Sequence, residues 1–390
     1  MSVYLDHAAT TPMRPEVLDA MAPYLTEHFG NPSSIHGAGR RARLGLDEAR
    51  ETVARVLGAK PREIVFTGGG TEADNLAIKG AAWAASARGR ELVTSSVEHK
   101  AVLHSCAVME RFGFHVTYLP VDRYGRVDPA EVAAAIREHT TVVSVMYANN
   151  EVGTVQRIAE IGTICRERGV LFHVDAVQAA AYLPLDVNRL QADLLSLSAH
   201  KLNGPKGVGA LFVRQGTALL AQVSGGSQER QRRAGTENVA GVVGFARALE
   251  LAQEPGVREG ENARLAQLRD ELIAGMTALP GVRLTGHPTE RLPSNASFLL
   301  EGVEGGDLVA ALDLEGIATS TGSACTTGSA EPSHVLLAMG FPPEEAHGSL
   351  RLTLGRGNAE ADISQTIEAT RTVLERMRGA REPRPEVASV

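Results

Sequence analysis

One stretch, residues 170–207, constrains this chain more than any other. It reads VLFHVDAVQAA, then a connector, then ADLLSLSAHKLNGPKG. Two short apolar runs, 170–174 and 194–197, have the length and unbroken character of strands buried on both faces, the habit of parallel sheets. Each run ends in polar groups: Asp175 and Gln178 after the first, Ser198, His200 and Lys201 after the second. Ligands of open α/β sheets lie outside the carboxyl ends of the strands, so the two sets are predicted to face one crevice.

The surrounding sequence keeps that rhythm. Strand-like runs at 63–66, 92–95, 116–119 and 141–147 alternate with helical patterns, which predicts a mostly parallel, doubly wound sheet. The first of these runs into TGGGTEAD (67–74) and then a long Ala-rich helix. Bare backbone N–H groups at a helix start form an anion site, with Gly70 and Thr71 placed to meet a phosphate. No Gly-Lys-Ser/Thr follows and the spacing is not G-x-G-x-x-G, so a nucleotide triphosphate loop and a dinucleotide fingerprint are both disfavoured. An acid at one strand end and an amine at the next fit pyridoxal 5′-phosphate. Lys201 would form an imine with its aldehyde, and Asp175 would keep its pyridine nitrogen protonated.

Composition narrows the rest. A formal net charge of -7 supplies no basic field, so nucleic acid is not expected as a direct ligand. No apolar run reaches membrane-spanning length and no secretory signal is visible, which points to the cytoplasm without membrane attachment. The 3 cysteines lack C-x-x-C or His-interleaved spacing, so neither a disulfide framework nor a metal site is expected. Cys106 and Cys165 sit at apolar helical positions and read as core. Cys325 lies in TSTGSACTTGSAEPSH (319–334), a segment with almost nothing to anchor it in a core, and is expected on an exposed, mobile loop. Arg351, in SLRLTLGR (349–356), is a candidate for gripping a carboxylate.

In domain terms, residues 1–15 form an extended arm expected to pack with the small domain. A large cofactor-binding domain covers 16–255, and Glu254-Pro255-Gly256 marks its boundary. A smaller α+β domain covers 256–380 and carries the cysteine loop at about 321–332. The tail 381–390 is expected to be disordered.

In order along the chain stand HAATTP, GNPSSIH, TGGGTEADN, EHK, ANNEVG, HVDAVQ, SAHKLNGPKG, RAGTEN, GSAC and SLRLTLGR. As a set they resemble the cysteine desulfurases, fold-type-I pyridoxal-phosphate enzymes of the class V aminotransferase superfamily. The long loop around GSAC resembles the housekeeping and nitrogen-fixation (NifS/IscS-like) branch. The resemblance implies that Lys201 holds the cofactor, Asp175 pairs with the pyridinium and Gln178 with the phenolic oxygen. His99 would stack on the ring and serve in proton transfer. Thr71, Ser198 and His200 would bind the phosphate, joined by Thr236 from the partner of a homodimer. Asn150 and Arg351 would hold the substrate's carboxylate end. Cys325 would take sulfur from L-cysteine as a persulfide, release L-alanine, and pass the sulfur to acceptors such as an iron–sulfur scaffold or a tRNA-thiolation protein. Two other readings share the residues: another enzyme of the same fold, such as a selenocysteine lyase or aminotransferase, and a non-catalytic sulfur-transfer scaffold. The roles of Arg230, Arg232 and Arg233 stay open between phosphate, partner surface and solvent.

Overall fold

The computed structural model describes residues 2–322 and 331–379. Its strands are β1 (Val3–Tyr4), β2 (Ile64–Thr67), β3 (Glu91–Ser95), β4 (His115–Leu119), β5 (Thr140–Ser144), β6 (Leu171–Asp175), β7 (Leu194–Ser198), β8 (Gly209–Val213), β9 (Val282–Thr285), β10 (Asn295–Leu300), β11 (Ile317–Ala318) and β12 (Ser349–Thr353). Seven of them form one sheet in the order β2-β8-β7-β6-β5-β3-β4. The pairs from β7 across to β4 are parallel, and β8 runs antiparallel to both of its neighbours.

Alternation along each strand divides the side chains between two layers. Val93, Val143, Phe172, Val174, Leu195 and Leu197 pack with the helices Gly37–Leu57 and Val239–Gln253. Leu92, Val142, Leu171, Leu194 and Leu211 face the other way, against Leu76, Ile78, Val102 and Met109. Both faces are therefore dry, which explains why the strands read as unbroken apolar runs. The helix Gly37–Leu57 stops at Gly58, whose φ of 64° suits a residue without Cβ and whose N–H returns to the carbonyls of Ala54 and Arg55.

Two local features differ from the sequence expectation. The run predicted at 141–147 leaves the sheet after Ser144, and the chain turns into Asn149–Glu151, where Asn149 accepts from the N–H groups of Glu151 and Val152. The Ala-rich helix is not uniform: α-helix Gly70–Asn75 passes through a π-helical turn, Leu76–Gly80, before Ala81–Ala84.

A second sheet, β12-β10-β9, is antiparallel. The helices Val257–Thr277, Gly305–Leu314 and Glu360–Gly379 cover it through Leu265, Leu272, Phe298, Leu308, Leu350 and Leu374. The architecture is thus a large, mostly parallel α/β unit with a smaller C-terminal α+β unit. The N-terminal segment joins them. β1 pairs in parallel with β11, while Thr11 donates its N–H and hydroxyl to the carbonyl of His200.

Candidate active site

The carboxyl ends of β3, β5, β6 and β7 open into a single cavity of about 990 Å³. Its wall brings together Gly70, Thr71, His99, Asn150, Asp175, Gln178, Ser198, His200, Lys201 and Arg351, all singled out in the sequence. Thr236 is exposed and does not line the cavity. Cys325 lies outside the described residues, although Gly322, at the edge of that segment, reaches the wall.

The end of the wall nearest β2 is built from backbone. Gly69 has a φ of 148°, which an L side chain rarely adopts, and a Cβ added to Gly70 would stand 2.8 Å from Val177 Cγ2 and 3.3 Å from Ser198 Cβ. Only glycine lets this loop lie against the ends of β6 and β7. Glu72 fixes its outer side, accepting from Gly68 N at 2.8 Å and pairing with Arg233 at 2.8 Å. Arg233 is therefore a brace for the glycine loop. Arg232 donates to the carbonyl of Arg62, and Arg230 adopts a left-handed φ of 56°.

At the floor, Asp175 is 4% exposed and accepts from Val177 N at 2.9 Å. Burial pushes its carboxyl up to about 6, against the pull of that donor and of the Lys201 charge. Lys201 follows β7 on a short 3-10 turn, Ala199–Lys201, and its Nζ donates to the carbonyl oxygens of Ala8 and Ala9 at 2.5 and 2.7 Å. The amine and the acid thus enter from adjacent parallel strands, as the pattern at 170–207 predicts. Gln178 also reaches the arm, donating to Ala8 O at 2.9 Å.

His99 caps the helix Lys100–Arg111, its Nδ1 accepting from Ala101 N at 3.1 Å. Burial, and next the Lys201 charge, lower it to about 4. At neutral pH the ring is uncharged and carries its proton on Nε2. His200 is likewise lowered to about 4, chiefly by burial, and its Nδ1 lies 3.2 Å from Thr10 Oγ1.

Arg351 is buried, at 2% exposure. Its NH2 donates to Asp6 at 3.0 Å and Ser320 at 2.7 Å, its NH1 to Asn150 O at 3.0 Å, and its Nε has no partner among the described residues. A guanidinium held this firmly beside a cavity suits an incoming carboxylate. The sequence assigns no role to Asp6 and Ser320, which hold it, nor to the buried Asp74, Glu98 and His173, of which Asp74 lines the cavity with Asp175. A signal for His173 exists: it stands two residues before Asp175 in an otherwise apolar run, on the same face of the strand. Cys106 and Cys165 are buried and pushed up to about 12 by that burial, so both are inert core thiols.

A mostly parallel sheet with a lysine and a buried aspartate at adjacent strand ends defines a fold-type-I pyridoxal-phosphate enzyme. Comparison narrows the class. The family model for class-V aminotransferases matches residues 3–366. The cysteine desulfurase IscS of Methanosarcina thermophila is 52% identical over 377 residues, covering 97% of this chain and 93% of that protein. A solved NifS-like protein superposes with a TM-score of 0.90 at 38% identity, over 96% of this chain and 100% of its own. The structure of SspA in complex with cysteine gives 0.81 at 37% identity, over 90% of this chain and 99% of its own. The chain belongs to the class-V aminotransferase family, among its IscS- and NifS-like cysteine desulfurases.

Proposed function

We propose that this chain is a pyridoxal-phosphate-dependent cysteine desulfurase that converts L-cysteine to L-alanine and stores the sulfur as a persulfide on Cys325. The observation that carries the reading is Lys201 and Asp175 converging on one cavity beside a glycine cradle, in a chain 52% identical to a cysteine desulfurase.

The donor set fits the cofactor chemically. Gly70, Thr71, Ser198 and His200 would hold the phosphate, where the bare backbone leaves no room for a Cβ at Gly70. Asp175 would face the pyridine nitrogen, Gln178 the phenolic oxygen and Lys201 the aldehyde, with His99 against the ring. When bound, the cofactor supplies an aldehyde for amines and a ring that accepts an electron pair from the substrate's α-carbon.

The chain supplies the rest. Arg351, with the Asn150 loop beside it, orients the substrate carboxylate. Lys201 Nζ, next to the site, takes the α-proton. The thiolate of Cys325 attacks the substrate's sulfur; the new S–S bond replaces the C–S bond, and the carbon skeleton regains a proton to leave as L-alanine. A thiolate is required, so a proton acceptor must stand near it. For His99 to act there at Nε2, its ring proton has to move to Nδ1 and the bond from Ala101 N has to open.

The working unit in this reading is a homodimer in which Thr236, exposed and away from its own cavity, completes the phosphate site of the partner. Sulfur acceptors, iron–sulfur scaffolds among them, would dock where Cys325 can be reached. The free thiols Cys106 and Cys165 suit a reducing cytoplasm, and among the described residues no helix is long and apolar enough to cross a membrane. The domain limits 16–255 and 256–380 fit the break between helices ending at Gln253 and starting at Val257.

Cys325→Ala tests the persulfide step. The variant should keep the visible absorbance of the bound cofactor and lose sulfur release from L-cysteine. Wild-type turnover by the variant would refute the assignment.

A further inference from the structure

Beside Asp175 lies a buried polar layer to which neither sequence nor family likeness has given a role. His173 is fully buried, with Nδ1 2.8 Å from Ser144 Oγ and Nε2 2.9 Å from Ser196 Oγ. Ser196 is the register partner of Asp175 across β6 and β7. Asp74, from the helix after the glycine loop, enters the same layer and lines the cavity with Asp175: it is 1% exposed, and its Oδ1 sits 3.6 Å from His173 Nε2 with no hydrogen-bond partner among the described residues.

The charged and titratable groups that face Asp74 are few. They are Asp175, Glu98 and His173, with Lys201 acting on Asp175. His173 offers no compensating charge, because burial lowers it to about 3. Glu98 accepts from Ser95 Oγ and Met146 N, yet burial pushes it up to about 8, so it is neutral as well. One ammonium therefore faces two adjacent buried aspartates. Desolvation penalises each anion, and like charges close together cannot both persist. Asp175 has a backbone donor and the attraction of Lys201. Asp74 has an orphaned oxygen and a repelling neighbour, with only the Ser196 hydroxyl favouring its anion.

We propose that Asp74 holds the proton that Asp175 gives up, so that the buried pair carries one negative charge, placed on Asp175 at the cavity floor. Asp74 is a positioning residue in this scheme, acting through the charge state of Asp175. That a pyridinium is what Asp175 meets rests on the proposed function; the location of the proton does not.

The test uses the full-length chain freed of cofactor, so it is separable from the desulfurase reading. An aspartate protonated in the fold and ionised when unfolded makes folding take up one proton at pH values above the ordinary aspartate range, weakening folding as pH rises. Asp74→Asn, which mimics the protonated acid, removes that proton. The ratio of folding constants, variant over wild type, from urea unfolding should rise tenfold per pH unit from pH 5 to pH 7, about a hundredfold in all. A ratio independent of pH would mean that Asp74 is ionised in the fold and would overturn the proposal, whereas a purely structural effect shifts the ratio without changing its slope. If the variant does not fold, infrared spectra of the wild type with carboxyl-labelled aspartate decide. A protonated aspartate carbonyl band at pH 7 is expected, and ionised aspartate bands alone would refute it.

Discussion

Replacing Glu229 by Gln should strongly destabilise the large unit. Glu229 and Arg50 form a bidentate pair at 2.7 and 2.9 Å, with side chains 2% and 5% exposed. The carboxylate also accepts from Phe66 N at 3.0 Å, and the guanidinium lies 4.6 Å from the Phe66 ring centroid. Removing one member leaves the other as an uncompensated buried charge, which costs about 3–5 kcal/mol. The pair also restrains strain. Glu229, Arg230 and Gln231 have φ values of 47°, 56° and 65°. Three consecutive left-handed residues cost about 1–2 kcal/mol each, roughly 3–6 kcal/mol together. The two ranges overlap, so the clamp is strong enough to hold the strained turn, and losing it should destabilise the fold and release the turn that leads to Thr236. Urea unfolding reads the first effect. Limited trypsin digestion reads the second, as new cleavage at Arg230, Arg232 or Arg233. Adding Arg50→Met should recover much of the lost stability, because a paired removal leaves no orphan charge. A loss below about 1 kcal/mol with an unchanged tryptic pattern would refute the reasoning.

Two further outcomes follow from the buried groups. Glu98 is raised to about 8 by burial, so its folded value exceeds the unfolded one; its contribution to stability is complete below about 4.5 and fades as pH rises towards 8. Glu98→Gln should therefore gain stability over the parent as pH rises from 5 to 8 in urea unfolding, and a constant difference would contradict the burial. Arg351→Ala should raise KM for L-cysteine about 10- to 150-fold, the worth of about 1.5–3 kcal/mol for a hydrogen bond to a charged group, and an unchanged KM would remove Arg351 from substrate binding.

How much of this was legible in the sequence depended on whether a residue's partners were close in the chain. Lys201, Asp175 and the glycine loop could be placed because each sits at a strand end, and strand ends in a parallel sheet converge without further information. Strand limits shifted by one residue at 170–174 against Leu171–Asp175 and by three at the end of 141–147 against Thr140–Ser144, since apolar pattern alone does not say where pairing stops. The antiparallel insertion of β8 gave no signal, because a strand buried on both faces reads the same in either direction. Asp6 was invisible for another reason. It meets Arg351, 345 positions away, through the pairing of the N-terminal arm with the C-terminal sheet, and no local pattern encodes that contact. Asp74 could be placed on a helix one turn after Thr71, but the orphaning of its Oδ1 emerges only once β6 and β7 close over it.

The account stands on Lys201 as the amine that binds the cofactor, and reduction tests this most directly. Purified protein loaded with pyridoxal phosphate is treated with borohydride, digested, and its peptides are weighed by mass spectrometry. The reduced cofactor is expected on Lys201. Its attachment instead to Lys100 or Lys206, which line the same cavity, or to no residue at all, would contradict the account.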